Sequence, residues 1–559
     1  MEENNKLQIE NEELVAKPKL DLDRILIEEV GQFGRYQARF MAVSLLMVLS
    51  FATLSAEFIF TSARVRTRCL IPECENSTEN IQFAAEWLSH ALPNTSTGYD
   101  NCRRFARAAA NDTSPGDSST DKCSITFFDI TTTEPCEAYV YENTNTVVYD
   151  FGLACDEWRR SLIGSMRTLG TLFAMPLTGY VSDRWGRRTA LLINLVNIGV
   201  IGLSRYWATS YIAFIAAEFL ETALGSGIYT CIFIIITEVV GPKYRVAAGA
   251  MYSTFFALGH VVSGLIATVV PNWRHFTLVL YITNLTCTLV TIWFTTESVR
   301  WYITKGRTDK AEKLLNKIAR VNGKQLSETS FQALKLTAKI SKETQMKKKE
   351  KMIKEPRLIV QVFNHKPILL RCVVAPVWWM TFSFIYYGLT INSVTLSVGN
   401  KLVNYLCVSL FEVPGFCAAY ALVNRVGRKP VLAGGYWLCA LAQLGFLLTP
   451  AGHSKISLAL YMVGKGSISM VVTSLYLYTS ELFPTAHRHS LVAFCSMLGR
   501  VGAILAPLTP AFGAQLPFML FAGMATLSGV LILLTPETLG CRLPDTMEDA
   551  ATIGRDNTI

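Results

Sequence analysis

Continuous apolar blocks of about 20 residues, the length a helix needs to cross roughly 30 Å of hydrocarbon, recur along this chain. They run near 38–61, 161–181, 189–207, 211–236, 247–270 and 276–295, and again near 372–391, 402–423, 431–449, 455–478, 489–511 and 516–535, which makes two sets of six. Inside a bilayer every backbone N–H and C=O must find a partner in the protein, so only helices and closed barrels span it. The blocks lack the period-two alternation of a barrel strand, which leaves helices. Charged residues make up 17% of the 559 positions, where a soluble protein uses about a quarter. The first apolar run, Arg39 to Thr61, is too long for a signal core and follows a polar, acidic start, so the amino terminus is expected in the cytosol. A net charge of +9 raises the question of nucleic acid, but the basic residues flank the apolar runs, as the positive-inside rule requires, and no nucleic-acid partner is expected.

The expected organisation is a cytosolic segment over 1–37, span one over 38–61, an outer loop over 62–160, spans two to six within 161–296, a cytosolic helical linker over 297–371, spans seven to twelve within 372–535 and a cytosolic tail over 536–559. Residues 302–357 hold 16 Lys or Arg against 6 Asp or Glu, and Ala311, Leu314, Leu315 and Ile318 recur at helical spacing, which suits a cytosolic linker. Residues 62–150 carry 13 acidic against 7 basic residues, with glycosylation sequons at Asn76, Asn94 and Asn111. Six cysteines, Cys69, Cys74, Cys102, Cys123, Cys136 and Cys155, fall in this loop and suit three disulfides in an oxidising compartment, with the pairing left open. The remaining cysteines read as small hydrophobes. No nucleophile elbow, phosphate loop or metal-spaced His/Cys cluster occurs, so no enzyme activity, cofactor or metal is expected.

The loop after span two reads Gly179-Tyr180-Val181-Ser182-Asp183-Arg184-Trp185-Gly186-Arg187-Arg188, and the loop after span eight reads Asn424-Arg425-Val426-Gly427-Arg428-Lys429. Glycine permits a tight turn between antiparallel helices, and the carboxylate and guanidinium groups can pair with a neighbouring helix end as a conformational latch. Glu238 to Arg245 after span four repeats as Glu481 to Arg488 after span ten. Two matched loops in the two halves point to an internal repeat.

With Val30-Gly31-Gln32-Phe33-Gly34-Arg35-Tyr36-Gln37, Phe151-Gly152-Leu153-Ala154-Cys155-Asp156, Ile236-Thr237-Glu238, Glu297-Ser298, Arg300-Trp301, Thr479-Ser480-Glu481-Leu482-Phe483-Pro484-Thr485 and Pro536-Glu537-Thr538, the chain resembles the organic cation/anion transporter family of the major facilitator superfamily over nearly its whole length. The resemblance implies an all-α membrane protein of twelve helices in two six-helix bundles, alternating access around a central site, and transport of organic cations, anions or zwitterions. Several positions depart from the family pattern: Glu218 stands where the family usually has Arg, Thr296 and Val299 where it has Pro, Thr222 where it has Gly, and Arg167 where an aromatic residue is common. Arg167 with Glu218 or Glu221 reads as a swapped ion pair, and Arg167 is also carried as a candidate substrate contact.

An ionisable side chain at mid-bilayer costs about 3 kcal/mol on insertion scales, so each needs a partner or a task. Arg500, in the middle of span eleven, stands where the resemblance places arginine in the anion and carnitine branches and an acidic residue in the cation branch. A guanidinium can hold a carboxylate in bidentate fashion, which favours an anionic or zwitterionic cargo. Lys465 and Glu412 have two readings each, as contacts to the substrate or as a salt bridge to one another. Aromatic residues crowd span seven, a stripe that reads as packing or as recognition; Trp379 is carried as a substrate contact, Tyr386 and Tyr387 match a substrate-lining segment of the family, and Tyr229 and Phe233 in span four correspond to cavity-facing aromatics in it. His260 reads as structural, and Glu57 as facing the entrance vestibule or the headgroups.

The expected function is a plasma-membrane carrier of small organic ions, with the lipid bilayer as surroundings and a coupling ion or counter-transported anion as a further partner. Its rivals are a cation carrier using Glu412 and a non-transporting receptor on the same fold.

Overall fold

The computed structural model describes residues 22–72, 74–75, 81–95, 98–108, 123, 127–327, 358–396, 401–450, 452–484, 487–513, 515–541, 544 and 546–553. Each apolar block forms a helix. The first bundle comprises α1 (Arg35–Thr61), α2 (Glu157–Trp185), α3 (Arg187–Ser204), α4 (Tyr211–Gly225 continuing as Ile228–Val239), α5 (Arg245–Val269) and α6 (Trp273–Phe294). The second comprises α7 (Lys366–Asn392), α8 (Lys401–Leu410 continuing as Glu412–Val426), α9 (Arg428–Leu448), α10 (Ser454–Leu482), α11 (Arg488–Leu505) and α12 (Leu516–Leu533). Eleven of these segments are long and apolar enough to cross a membrane. The twelfth, α2, has 29 residues and is not among them, its apolar stretch being interrupted by Arg167 and by several Gly, Ser and Thr residues.

Helix ends extend past the apolar blocks wherever a polar first turn can be capped. Asp156 accepts a hydrogen bond from the backbone N–H of Arg159 at 3.0 Å and starts α2 at Glu157. Pro in the first turn starts α7 at Lys366. Hydropathy does not register these turns, because their side chains are polar while their backbone is helical.

Each bundle has its own apolar core, one built around Phe40, Val48, Leu195, Ile232 and Phe276, the other around Trp378, Ile385, Tyr436, Tyr461 and Phe521. The bundles meet at the end that carries the long loop. There Gly164 of α2 lets Phe58 and Pro507 approach so closely that an added Cβ would lie 2.7 Å from the Pro507 side chain. Ser165 Oγ donates to the carbonyl of Ile504 at 2.9 Å, and the Phe60 ring stands edge-on to Tyr405, centroids 4.7 Å apart. Gly264 of α5 packs against Tyr405 and Leu406 of α8. At the opposite end the same helix faces separate: a Cβ on Gly179 of α2 would meet nothing within 4 Å, and one on Gly249 of α5 would meet only Phe233 of its own bundle. The bundles therefore touch at the loop end and part at the end bearing the two repeated motif loops.

Among the described residues, the loop between α1 and α2 contains six short strands, β1 (Thr67–Cys69), β2 (Asn94–Thr95), β3 (Gly98–Tyr99), β4 (Arg103–Arg107), β5 (Phe128–Pro135) and β6 (Tyr139–Tyr141). They pair antiparallel as β1–β6, β2–β3 and β4–β5. Disulfides join Cys69 to Cys136, Cys74 to Cys123 and Cys102 to Cys155, with Cα separations of 5.2, 5.5 and 5.7 Å. Asn94 is exposed, while Asn76 and Asn111 lie outside the described residues.

After α6 the helices Val299–Thr304 and Thr308–Val321 follow, and the second buries Ala311, Leu314, Leu315 and Ile318, the face marked by the sequence spacing. Leu314, Leu315 and Ile318 pack with Leu22, Ile25, Leu26 and Val30 ahead of α1. Asn322 fastens this contact: its Oδ1 accepts from the backbone N–H of Tyr36 at 3.0 Å, and its Nδ2 donates to the Val30 carbonyl and to Gln37 Oε1 at 3.1 and 3.0 Å.

Candidate functional site

The space between the bundles is built around α11. Gly499 and Gly502 place this helix directly on α7, at Trp379 and Met380, where a side chain on either glycine would collide. The next position, Arg500, is half-buried and interacts electrostatically with Tyr229 of α4 and Tyr476 of α10. Tyr229 also feels Tyr387 of α7 and Glu412 of α8, so residues from both bundles converge here. Tyr229, Phe233 and Tyr476 keep 37%, 42% and 47% of their surface open. Among the described residues Arg500 has no ion-pair partner.

The other expected contacts divide. Trp379 is buried behind the gap, its ring edge-on to Tyr476 at 4.4 Å and its Nε1 donating to Thr479 Oγ1 at 3.2 Å, so it positions Tyr476 rather than lining the space. Lys465 and Glu412 are fully buried and pair with each other, Nζ to Oε1 3.1 Å. Lys465 also donates to Thr390 Oγ1 at 2.6 Å and to the Tyr386 carbonyl at 3.0 Å, while Tyr386 Oη donates to Glu412 Oε2 at 2.6 Å. Of the two readings for this pair, the geometry builds the salt bridge.

Arg167 lies in a second cluster, inside the first bundle. Its Nη1 reaches Glu218 Oε2 at 2.7 Å and Glu221 Oε1 at 3.1 Å, so the swapped pair is formed, and Nη2 donates to the Leu54 carbonyl at 2.8 Å. These contacts occupy the guanidinium and do not bring it to Arg500. Glu57 is corrected outright: it faces neither vestibule nor headgroups but is fully buried, 2.9 Å from Arg205 Nη1, with Thr277 Oγ1 donating to its other oxygen at 2.7 Å. Arg205 also pairs with Glu218 and, at 3.0 Å, with Glu221.

The two motif loops are built alike. Gly186 and Gly427 adopt φ of 111° and 114°, the conformation that glycine supplies without strain, and each separates two antiparallel helices. Gly179 sits inside α2, because the helix runs unbroken to Trp185. Glu297 accepts from the backbone N–H groups of Arg187 and Arg188, and Glu537 from those of Arg428 and Lys429, so a carboxylate caps the start of α3 and of α9. Arg428 pairs with Glu481 at 3.1 Å, and Arg187 pairs with Asp183 at 2.7 Å and approaches Glu238 at 4.0 Å. The two glutamates thus reach across to the glycine turns. Arg245 donates to the Thr237 carbonyl at 3.1 Å, Arg184 to Tyr180 Oη at 2.6 Å and Arg188 to the Ile292 carbonyl at 2.7 Å. Arg488 is half-buried and Arg425 is exposed.

The Major Facilitator Superfamily family model matches residues 145–507. "Solute carrier family 22 member 7" of Sus scrofa is 30% identical over 551 residues, covering 94% of this chain and 95% of that protein. The chain belongs to solute carrier family 22 of the major facilitator superfamily. Another member of this organic cation/anion transporter family, the "Organic cation transporter protein" of Drosophila melanogaster, is 28% identical over 542 residues, covering 95% and 94% of the two chains. The solved "Inward open conformation of the xylose transporter XylE from E. coli" shares the fold, with TM-score 0.58 and 15% identity over 92% of this chain and 99% of that one.

Within this solute carrier 22 chain, sequence reasoning missed two residues. Tyr476 lies on α10 about three helical turns beyond Lys465 and so shares its face, a spacing that could have flagged it. Arg205 falls at the end of the third apolar run, where a basic residue reads as a headgroup anchor, and only the packing of α1 and α4 around it shows otherwise.

Proposed function

We propose that this solute carrier moves small organic anions or zwitterions across the plasma membrane by alternating access, with Arg500 holding the carboxylate of the cargo. The observation that carries the reading is a contrast among membrane-embedded cations. Arg167, Arg205 and Lys465 are saturated by protein carboxylates, while Arg500 has no carboxylate partner among the described residues. A guanidinium left beside aromatic walls at that depth is matched by an anionic ligand. Tyr229, Phe233, Tyr387 and Tyr476 would stack on the cargo and attract the ammonium of a zwitterion, each contributing about 0.5–2 kcal/mol. The cation reading is weaker, because Glu412 is already ion-paired with Lys465 and accepts from Tyr386. A receptor reading draws on the unusual Glu218, yet that carboxylate is compensated by Arg167 and Arg205.

With the disulfide-bearing loop outside and the motif loops in the cytosol, the parted end faces inward, and rocking of the bundles would expose Arg500 to the other side. The test is competitive uptake in sealed vesicles of a labelled monocarboxylate, carnitine, β-alanine and a quaternary ammonium. Arg500→Asp should abolish carboxylate and zwitterion uptake; undiminished uptake by that variant removes Arg500 from the path, and binding without accumulation favours a receptor.

A further inference from the structure

The buried cluster in the first bundle does not balance its own charge. Glu57 of α1, Glu218 and Glu221 of α4 and Arg205 of the turn Arg205–Trp207 are 0% exposed, and Arg167 of α2 is 5% exposed. Three carboxyl groups thus face two guanidiniums, with the hydroxyls of Thr277 and Tyr281 on α6 as the remaining polar partners. Fully ionised, the group would hold one uncompensated negative charge at a depth where a lone carboxylate takes up a proton rather than pay several kcal/mol of lost solvation.

The hydrogen bonds show where that proton would sit. Glu218 receives Arg167 on one oxygen and Arg205 on the other. Glu57 receives Arg205 on one and Thr277 on the other. Glu221 Oε1 accepts from Tyr281 Oη at 2.7 Å and lies 3.1 Å from Arg167 Nη1, while its Oε2, buried and 3.0 Å from Arg205 Nη2, takes no hydrogen bond. The charged and titratable groups facing Glu221 are Arg167, Arg205, Glu218, Glu57 and Tyr281. Arg205 also donates to Tyr281, so the phenol is already held as donor toward Glu221.

We propose that this cluster is a proton site, occupied by one proton on the Glu221 carboxyl while the loop end is closed and emptied when that end opens. On release the Glu221 carboxylic acid becomes a carboxylate, the proton passes to water, and the cluster changes from neutral to −1. The link to opening is short. The Arg167 guanidinium lies 5.9 Å over the Phe58 ring, and Phe58 with Pro507 closes on Gly164 in the contact between bundles. Separating that contact would uncover Phe58 and, over its ring, Arg167. Coupling of this proton to cargo movement rests on the transport reading above; its presence does not.

Infrared absorption of the purified protein in lipid nanodiscs tests the site without any substrate. The wild type should show a protonated-carboxyl band at neutral pH that shifts in D2O; Glu221→Gln should lose it, because three carboxyls become two against two guanidiniums, and the charge-preserving Arg167→Lys should keep it. No band in the wild type, or an undiminished band in Glu221→Gln, overturns the proposal. In proteoliposomes an outward proton gradient, acidic inside, should accelerate cargo uptake by the wild type and not by Glu221→Gln. A gradient response equal in both overturns the coupling while leaving the infrared result standing, and absence of all uptake with the band intact overturns the transport reading alone.

Discussion

Arg428 closes a two-point ion pair on Glu481, Nε at 3.1 Å and Nη2 at 3.2 Å from the two carboxylate oxygens. Its counterpart in the first bundle is looser, since Arg187 spends its Nη1 on Asp183 and comes only to 4.0 Å from Glu238. The halves share a motif but do not share its strength. Charge-assisted hydrogen bonds between mostly buried partners contribute about 1.5–3 kcal/mol, a distant pair about 0–1. Glu481→Gln should therefore lower the thermal unfolding temperature in detergent distinctly more than Glu238→Gln. Equal losses would show that the asymmetry carries no energetic weight.

The Lys465–Glu412 pair makes a different demand. Removing one member of a buried pair leaves an uncompensated charge and costs about 3–5 kcal/mol, whereas replacing both by apolar groups is often nearly neutral. Lys465→Met and Glu412→Leu should each reduce the yield of monodisperse protein sharply, and the double variant should recover most of it. If Glu412 instead holds an ammonium group of the cargo, the double variant would be stable but would lose zwitterion uptake selectively, which the same vesicles measure.

How much of this was legible beforehand depends on whether the interaction is local. The twelve spans were, since a continuous apolar run needs no partner to be recognised, and even α2 kept its place despite its arginines. The Arg167–Glu218 pair was also readable, because two opposite charges at similar depth in parallel spans constrain each other. Glu57 was not: its burial depends on Arg205, which the chain delivers from the far end of α3, and no periodicity joins positions 57, 205 and 218.

The loop disulfides were counted from the sequence but not connected. Peptide mapping without reduction should recover fragments linking Cys69 to Cys136, Cys74 to Cys123 and Cys102 to Cys155. The last of these ties the loop to the residue preceding the α2 cap, Asp156. Cys102→Ser with Cys155→Ser should lower stability by about 2–4 kcal/mol, read as reduced surface delivery, while carriers that do arrive should keep their substrate preference because no loop cysteine lies at Arg500.

Substitutions at Arg500 separate charge from geometry. If the cargo carboxylate is held by two parallel N–H donors, lysine restores the charge but not the fork, and glutamine removes the charge altogether. The glycine face of α11 stays on α7 in both variants, so the helix itself should not move. A charged hydrogen bond is worth about 1.5–3 kcal/mol, which corresponds to roughly 10- to 100-fold in affinity. Half-saturation for carboxylate uptake should thus rise modestly in Arg500→Lys and by the larger factor in Arg500→Gln, with quaternary ammonium uptake unchanged or increased in both. If lysine and glutamine weaken uptake equally, the bidentate fork rather than the charge dominates; if neither weakens it, the carboxylate is held elsewhere and Tyr229 and Tyr476 alone line the path.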